Sequence, residues 1–143
     1  MGRERVVLRG VEETLILGQR FASFLVPGSV LALRGELGVG KTHLTKGIAL
    51  GLGLAAEDEV QSPTFVKLAI YETTPPLFHF DLYRIRCIEE FVALGFEEFL
   101  DQGGVTVIEW PERIEAILPA RTLSLSLSYG EDLSERIADF FIP

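Results

Sequence analysis

The chain has 143 residues, 48% of them hydrophobic, and carries 13 Lys and Arg against 21 Asp and Glu for a formal net charge of −8. That apolar content, with 24% charged residues, excludes intrinsic disorder, and the acidic balance argues against a surface that grips a nucleic-acid backbone directly. No run of uncharged residues reaches the roughly 18–20 that span a bilayer, and the single Cys87 makes neither an internal disulfide nor a multi-cysteine metal site.

The opening Met1-Gly2-Arg3-Glu4-Arg5 lacks the apolar stretch of a signal peptide. One domain over residues 1–143, cytoplasmic and without membrane contact, is therefore expected. In chain order, residues 5–9 predict a short strand around Val6, Val7 and Leu8. Leu15, Gly18, Ala22 and Leu25 then recur at three- and four-residue spacings, an amphipathic helix ended by Pro27-Gly28. Val30, Leu31, Ala32 and Leu33 form an unbroken apolar run, the pattern of a strand covered on both faces.

A glycine-rich loop and a helix over 41–52 follow, with Leu44, Ile48 and Leu52 on one face. Beyond a polar loop at 58–64, strands are predicted at 65–71 and 77–80, joined through Pro75-Pro76. Residues 88–94 and 96–100 read as helical, separated by Gly95. Residues 105–109 form an apolar strand ending in an acid, and Pro111 opens a helix to Leu118. Leu123, Leu125 and Leu127 alternate with Ser124, Ser126 and Ser128 in a half-exposed strand, and 134–142 is the last strand, at the sheet edge. This order predicts an α/β fold with a mixed, mainly parallel sheet flanked by helices in three layers, and the strand, glycine-rich loop and helix over 29–52 make it one of the P-loop NTPase type.

Residues Gly35-Glu36-Leu37-Gly38-Val39-Gly40-Lys41-Thr42 match G-x-x-x-x-G-K-[ST], between a buried-type strand and an amphipathic helix. The glycines let the backbone turn its N–H groups inward, making an anion nest at a helix N-terminus. In this reading Glu36, Leu37, Gly38, Val39 and Gly40 wrap the phosphates, Lys41 reaches the β- and γ-phosphate oxygens, and Thr42 offers its hydroxyl to Mg²⁺. A magnesium site also needs a carboxylate at a nearby strand end. Asp81, after Leu77-Phe78-His79-Phe80, and Glu109, after Val105-Thr106-Val107-Ile108, are the candidates. Either could instead emerge into solvent. Asn is absent from the chain, so a guanine-selecting Asn-Lys-x-Asp segment cannot exist. ATP/ADP with Mg²⁺ is the expected cofactor set.

Three further segments, Ser62-Pro63-Thr64-Phe65, His79-Phe80-Asp81-Leu82-Tyr83-Arg84 and Glu109-Trp110-Pro111, stand in an order and spacing that resemble the bacterial TsaE (YjeE-type) ATPase family. The resemblance implies an ATP-hydrolysing accessory protein of tRNA threonylcarbamoyladenosine (t6A) modification. It would support turnover of a TsaB–TsaD heterodimer and meet tRNA only indirectly. It also implies Thr42 and Glu109 as Mg²⁺ ligands, Asp81 as holder of metal-bound water or orienter of the attacking water, and Thr64 as a switch residue sensing the γ-phosphate or its metal. His43 stands where the family generally has Thr, a position that offers a hydroxyl toward the α-phosphate.

Thr14 lies either near the adenine or ribose or simply at a helix N-terminus. Trp110 is either beside the nucleotide or in the core. His79 reads as a packed strand residue, Cys87 as a small apolar filler, and Arg84 or Arg113 as sources of an arginine finger if no partner supplies it. Phe91, Phe96 and Phe99 are core or a docking surface for a partner. A nucleotide-gated binding module whose hydrolysis is incidental, or a small-molecule kinase, are the alternatives.

Overall fold

The run Val30–Arg34 (β2) lies at the centre of a seven-stranded sheet, with Val30 to Leu33 inaccessible to solvent, as its lack of alternation predicts. The computed structural model describes residues 2–55 and 68–142. The other elements are β1 (Gly2–Arg9), α1 (Val11–Ala22), α2 (Lys41–Gly51), β3 (Leu68–Tyr71), β4 (Leu77–Asp81), α3 (Ile88–Ala93), β5 (Val105–Glu109), β6 (Leu123–Tyr129) and β7 (Glu135–Ile142). The strand order is β1-β7-β6-β2-β5-β4-β3. The four middle strands, β6, β2, β5 and β4, run parallel, whereas β7 and β3 are antiparallel to their neighbours.

Alternation along the strands builds a core on each face of the sheet, which makes the three layers. Leu31, Leu33, Val105, Val107, Leu125 and Leu127 face α1 and α2, while Phe78, Phe80 and Ile108 face α3 and the segments around it. The two helices of the first layer touch backbone to backbone. A Cβ on Gly18 would lie 2.5 Å from the Leu44 carbonyl oxygen, and one on Gly47 would lie 2.4 Å from that of Leu15.

Several expectations change. The last strand is not an edge: β7 pairs with β6 on one side and β1 on the other, so β1 is the edge. The first strand is longer than its apolar centre, because its charged ends Arg3, Glu4 and Arg9 still pair along β7. The predicted helices at 96–100 and 111–118 are 3₁₀ segments, Phe96–Asp101 and Pro111–Ile117, the second broken at Ile114. Helical spacing over so few residues does not separate 3.0 from 3.6 residues per turn. Phe91 is fully buried, and half-buried Phe96 and Phe99 pack beside it around Phe80, so this cluster is core and not a docking surface. Cys87 is exposed at the start of α3 and fills no apolar space. The loop carrying Ser62 to Thr64, and residues 65–67 of the strand predicted at 65–71, lie outside the described residues.

Candidate functional site

Strands β2, β5 and β4 end together at one rim of the parallel sheet, where their register sets Leu33 beside Glu109 and Glu109 beside Asp81. Ligands of open α/β sheets bind at this carboxyl edge. The glycine loop leaves β2 here and enters α2. Gly35 adopts φ 152°, and a Cβ there would press on the Leu127 carbonyl at 2.7 Å and the Val39 side chain at 2.8 Å. Gly40, at φ 111°, precedes α2, and no side chain caps that helix. Its amino end therefore keeps the partial positive charge of first-turn N–H groups turned to the loop.

The alternation of β4 and β5 turns His79 and Glu109 to one side of the sheet, where they meet Lys41 from the first turn of α2, all three nearly inaccessible to water. The Lys41 ammonium donates to the Gly35 carbonyl at 2.6 Å and lies 4.0 Å from Glu109 Oε1. His79 Nε2 meets Glu109 Oε2 at 2.6 Å. Lys41 Nζ also sits 4.2 Å from the centre of the Trp110 ring, a cation–π contact, and that ring packs on Tyr83 at 5.0 Å between centres. Trp110 is held at φ 59°, a left-handed conformation that disfavours bulky residues and concentrates at functional sites.

Burial pushes the Lys41 ammonium below its ordinary value, opposed by the charges of Glu109, Asp81 and Glu112. Burial likewise raises the Asp81 carboxyl, with Glu109 adding to the rise, while the Tyr83 N–H, His79 and Lys41 act against it. The arrangement is a cluster of opposite charges, largely removed from water, beside a glycine-turned loop at a helix amino end. Among the described residues, no group of three or more His, Cys, Asp or Glu side chains could hold a metal ion unaided. A hard cation here would take oxygens from Thr42, Glu109 and Asp81 and complete its shell from a phosphate ligand, the usual habit of Mg²⁺.

On the far bank of the loop two side chains donate to its backbone carbonyls. Tyr129, ending β6, donates its hydroxyl to the Leu37 carbonyl at 3.1 Å. Arg136, on β7, donates Nε to the Val39 carbonyl at 3.0 Å, its guanidinium stacked over the Tyr129 ring. Both residues escape sequence reading. A Tyr at a strand end and an Arg on the next strand carry no local sign that they meet a loop some ninety positions away.

Other expected site residues divide. Val39 is buried, Glu36, Leu37 and Gly38 line the exposed outer side of the loop, Thr42 is half-buried, and His43 is exposed on α2. Thr14 is buried in the first turn of α1, and its hydroxyl returns to the Gly10 carbonyl, as a helix N-terminal residue does. Trp110 is half-buried, packing against the core around Phe80 and Ile108 while its ring meets Lys41. Arg113 donates to the Tyr83 carbonyl and Arg84 is exposed. Thr64 lies outside the described residues. His79, read from sequence as a packed strand residue, is a partner of Glu109. The signal was its parity: two before Asp81 on an otherwise apolar strand, it shares that acid's face.

Among the described residues, no helix is long and apolar enough to cross a membrane. A family model described as threonylcarbamoyl adenosine biosynthesis protein TsaE matches residues 8–137. The tRNA threonylcarbamoyladenosine biosynthesis protein TsaE of Treponema pallidum is 42% identical over 133 residues, covering 93% of this chain and 97% of that one. The protein of the same name from Bacillus subtilis is 40% identical over 122 residues, covering 85% and 75%. The crystal structure of YdiB from Bacillus subtilis superposes with a TM-score of 0.81 at 34% identity, covering 96% of this chain and 84% of that one. With a family model matched over residues 8–137, relatives 40–42% identical over most of this chain and a solved structure of the same fold, the chain belongs to the TsaE family.

Proposed function

We propose that this chain binds ATP with Mg²⁺ and hydrolyses it to ADP and phosphate in tRNA threonylcarbamoyladenosine biosynthesis, acting through the TsaB–TsaD heterodimer and meeting tRNA only through those partners. The pathway comes from the family and the names of its relatives. The observation that carries the chemistry is the pairing of Asp81 and Glu109 at adjacent strand ends, with the buried Lys41 ammonium 4.0 Å from Glu109.

Phosphoryl transfer needs positioning and charge neutralisation more than covalent chemistry. The inward-turned loop and the α2 amino end hold the phosphates, and Lys41 contributes a fixed positive charge made stronger by its dry surroundings. Bound Mg²⁺, held by Thr42 and Glu109 with Asp81 beside them, would supply further neutralisation of phosphate charge. Asp81 accepts a hydrogen bond from the attacking water and aligns it; its raised affinity for protons suits that task. Water adds to the γ-phosphorus, the bond to the ADP oxygen breaks, and inorganic phosphate leaves.

The test is ATP turnover by the full chain, alone and with TsaB–TsaD. Glu109→Ala and Asp81→Ala should each reduce stimulated turnover by at least tenfold, in line with the loss of one group that stabilises charge. Unchanged turnover in both variants refutes the assigned roles. An Asp81→Ala chain that still supports t6A formation without hydrolysis would make the nucleotide a docking signal instead.

A further inference from the structure

We propose that His79 is a positioning residue: its Nε2–H fixes the Glu109 carboxylate so that Oε1 is turned toward Lys41 and the phosphate loop. The inference rests on the reading of that loop as the Mg²⁺–ATP site and extends it to a residue on a neighbouring strand.

The terminal torsion of a glutamate is broad, so packing around the stem alone leaves its two oxygens free to exchange places. Here one oxygen is committed. Oε2 takes the 2.6 Å contact from His79, while Oε1 is the atom 4.0 Å from the Lys41 ammonium. A carboxylate only accepts, so the imidazole proton resides on Nε2. The other ring nitrogen, Nδ1, is buried and without a partner among the described residues. A leucine would fill the space without that cost, for an orphaned buried polar atom is unfavourable. The imidazole therefore stands where only its Nε2 is used, and that use is to hold an acid at the loop. Outer partners of this kind orient ligand groups and change metal affinity by about 10–100-fold when removed.

Side-chain geometry makes a sharp test. A glutamine amide nitrogen lies as many bonds from Cβ as histidine Nε2, whereas an asparagine amide nitrogen corresponds to Nδ1. The experiment compares ADP affinity with and without Mg²⁺ for the unaltered chain, His79→Gln and His79→Asn. Emission from Trp110, the one tryptophan in the chain, serves as reporter, and urea unfolding of each variant serves as control.

The Mg²⁺-dependent gain in affinity should fall by at least tenfold in His79→Asn. Metal-free ADP binding should stay within about twofold, and His79→Gln should recover the gain to within about threefold. If His79→Asn does not fold, His79→Phe, which fills the space without a donor, should show the same loss. Equal behaviour of the Gln variant and the Asn or Phe variant, or an intact Mg²⁺ gain in either of the latter, overturns the positioning role and leaves the ATPase reading standing. No Mg²⁺-dependent ADP binding by the unaltered chain overturns both. A readout free of nucleotide accompanies these: ¹⁵N resonances of the ligand-free protein should show a proton on His79 Nε2, and an Nε2 without one overturns the proposal.

Discussion

Strand β4 sends Phe78 and Phe80 to one side of the sheet and Leu77 and His79 to the other, while β5 sends Ile108 with the phenylalanines and Glu109 with the histidine. On the phenylalanine side, Phe80 meets Phe91, Phe96 and Phe99 with ring centres 5.2–6.1 Å apart, mostly edge to face. On the opposite side the same depth of burial holds an ammonium, a carboxylate and an imidazole. Burial of rings stabilises the fold directly. Burial of charges does so only through their pairing, and it leaves groups tuned for a ligand. One pair of strands thus divides stability from site chemistry across the thickness of the sheet.

The largest way to break this division is Phe80→Ala. Loss of a fully buried ring should lower the unfolding free energy by about 3–5 kcal/mol, read from urea denaturation. The ADP affinity of the folded protein should change less than about twofold. A parallel collapse of affinity would show that the two faces are not separable.

The next effect is on the other face. Lys41→Ala removes a charged donor from the loop and should weaken ADP binding by about 10–100-fold, the equivalent of a charged hydrogen bond of about 1.5–3 kcal/mol. Its urea midpoint should stay nearer the parent's than that of Phe80→Ala. Calorimetric titration that finds unaltered affinity would remove Lys41 from the proposed site.

The smallest effect sharpens the comparison. Because burial raises the Asp81 carboxyl, the folded chain binds that proton more tightly than the unfolded chain does. Ionised Asp81 therefore costs stability above the carboxylate range, and the cost disappears below it. Asp81→Asn, which keeps an acceptor for the Tyr83 N–H, should raise the unfolding midpoint of metal-free protein at pH 7. The gain should vanish as pH falls below about 4. Asp81 is half-exposed, so the gain should be less than about 1 kcal/mol. A midpoint lowered at pH 7 would contradict the electrostatic account.

Much of this was legible in the residues. The run Val30 to Leu33 announced a strand buried on both faces, and the loop from Gly35 to Thr42 announced its turn into a helix, because both patterns are local. The acids ending β4 and β5 were visible as costly punctuation after apolar runs. The place of β7 was not visible: its alternation fits an edge or an inner strand equally, and only the pairing of β1 along it decides. The 3₁₀ form of 96–101 and 111–117 was hidden for a related reason, since helical spacing over six or seven residues does not separate 3.0 from 3.6 residues per turn.

What the sequence determined by itself, then, was the material of the site and the class of fold, through short-range patterns whose physics is steric and amphipathic. Only the tertiary structure decided which of those groups meet. Parallel pairing with β4 and β5 in register set Asp81 beside Glu109, strand parity turned His79 onto Glu109, and the β6–β7 hairpin carried Tyr129 and Arg136 back to the loop. Each of these contacts closes a long stretch of chain, and its strength comes from exclusion of water, which no residue specifies alone.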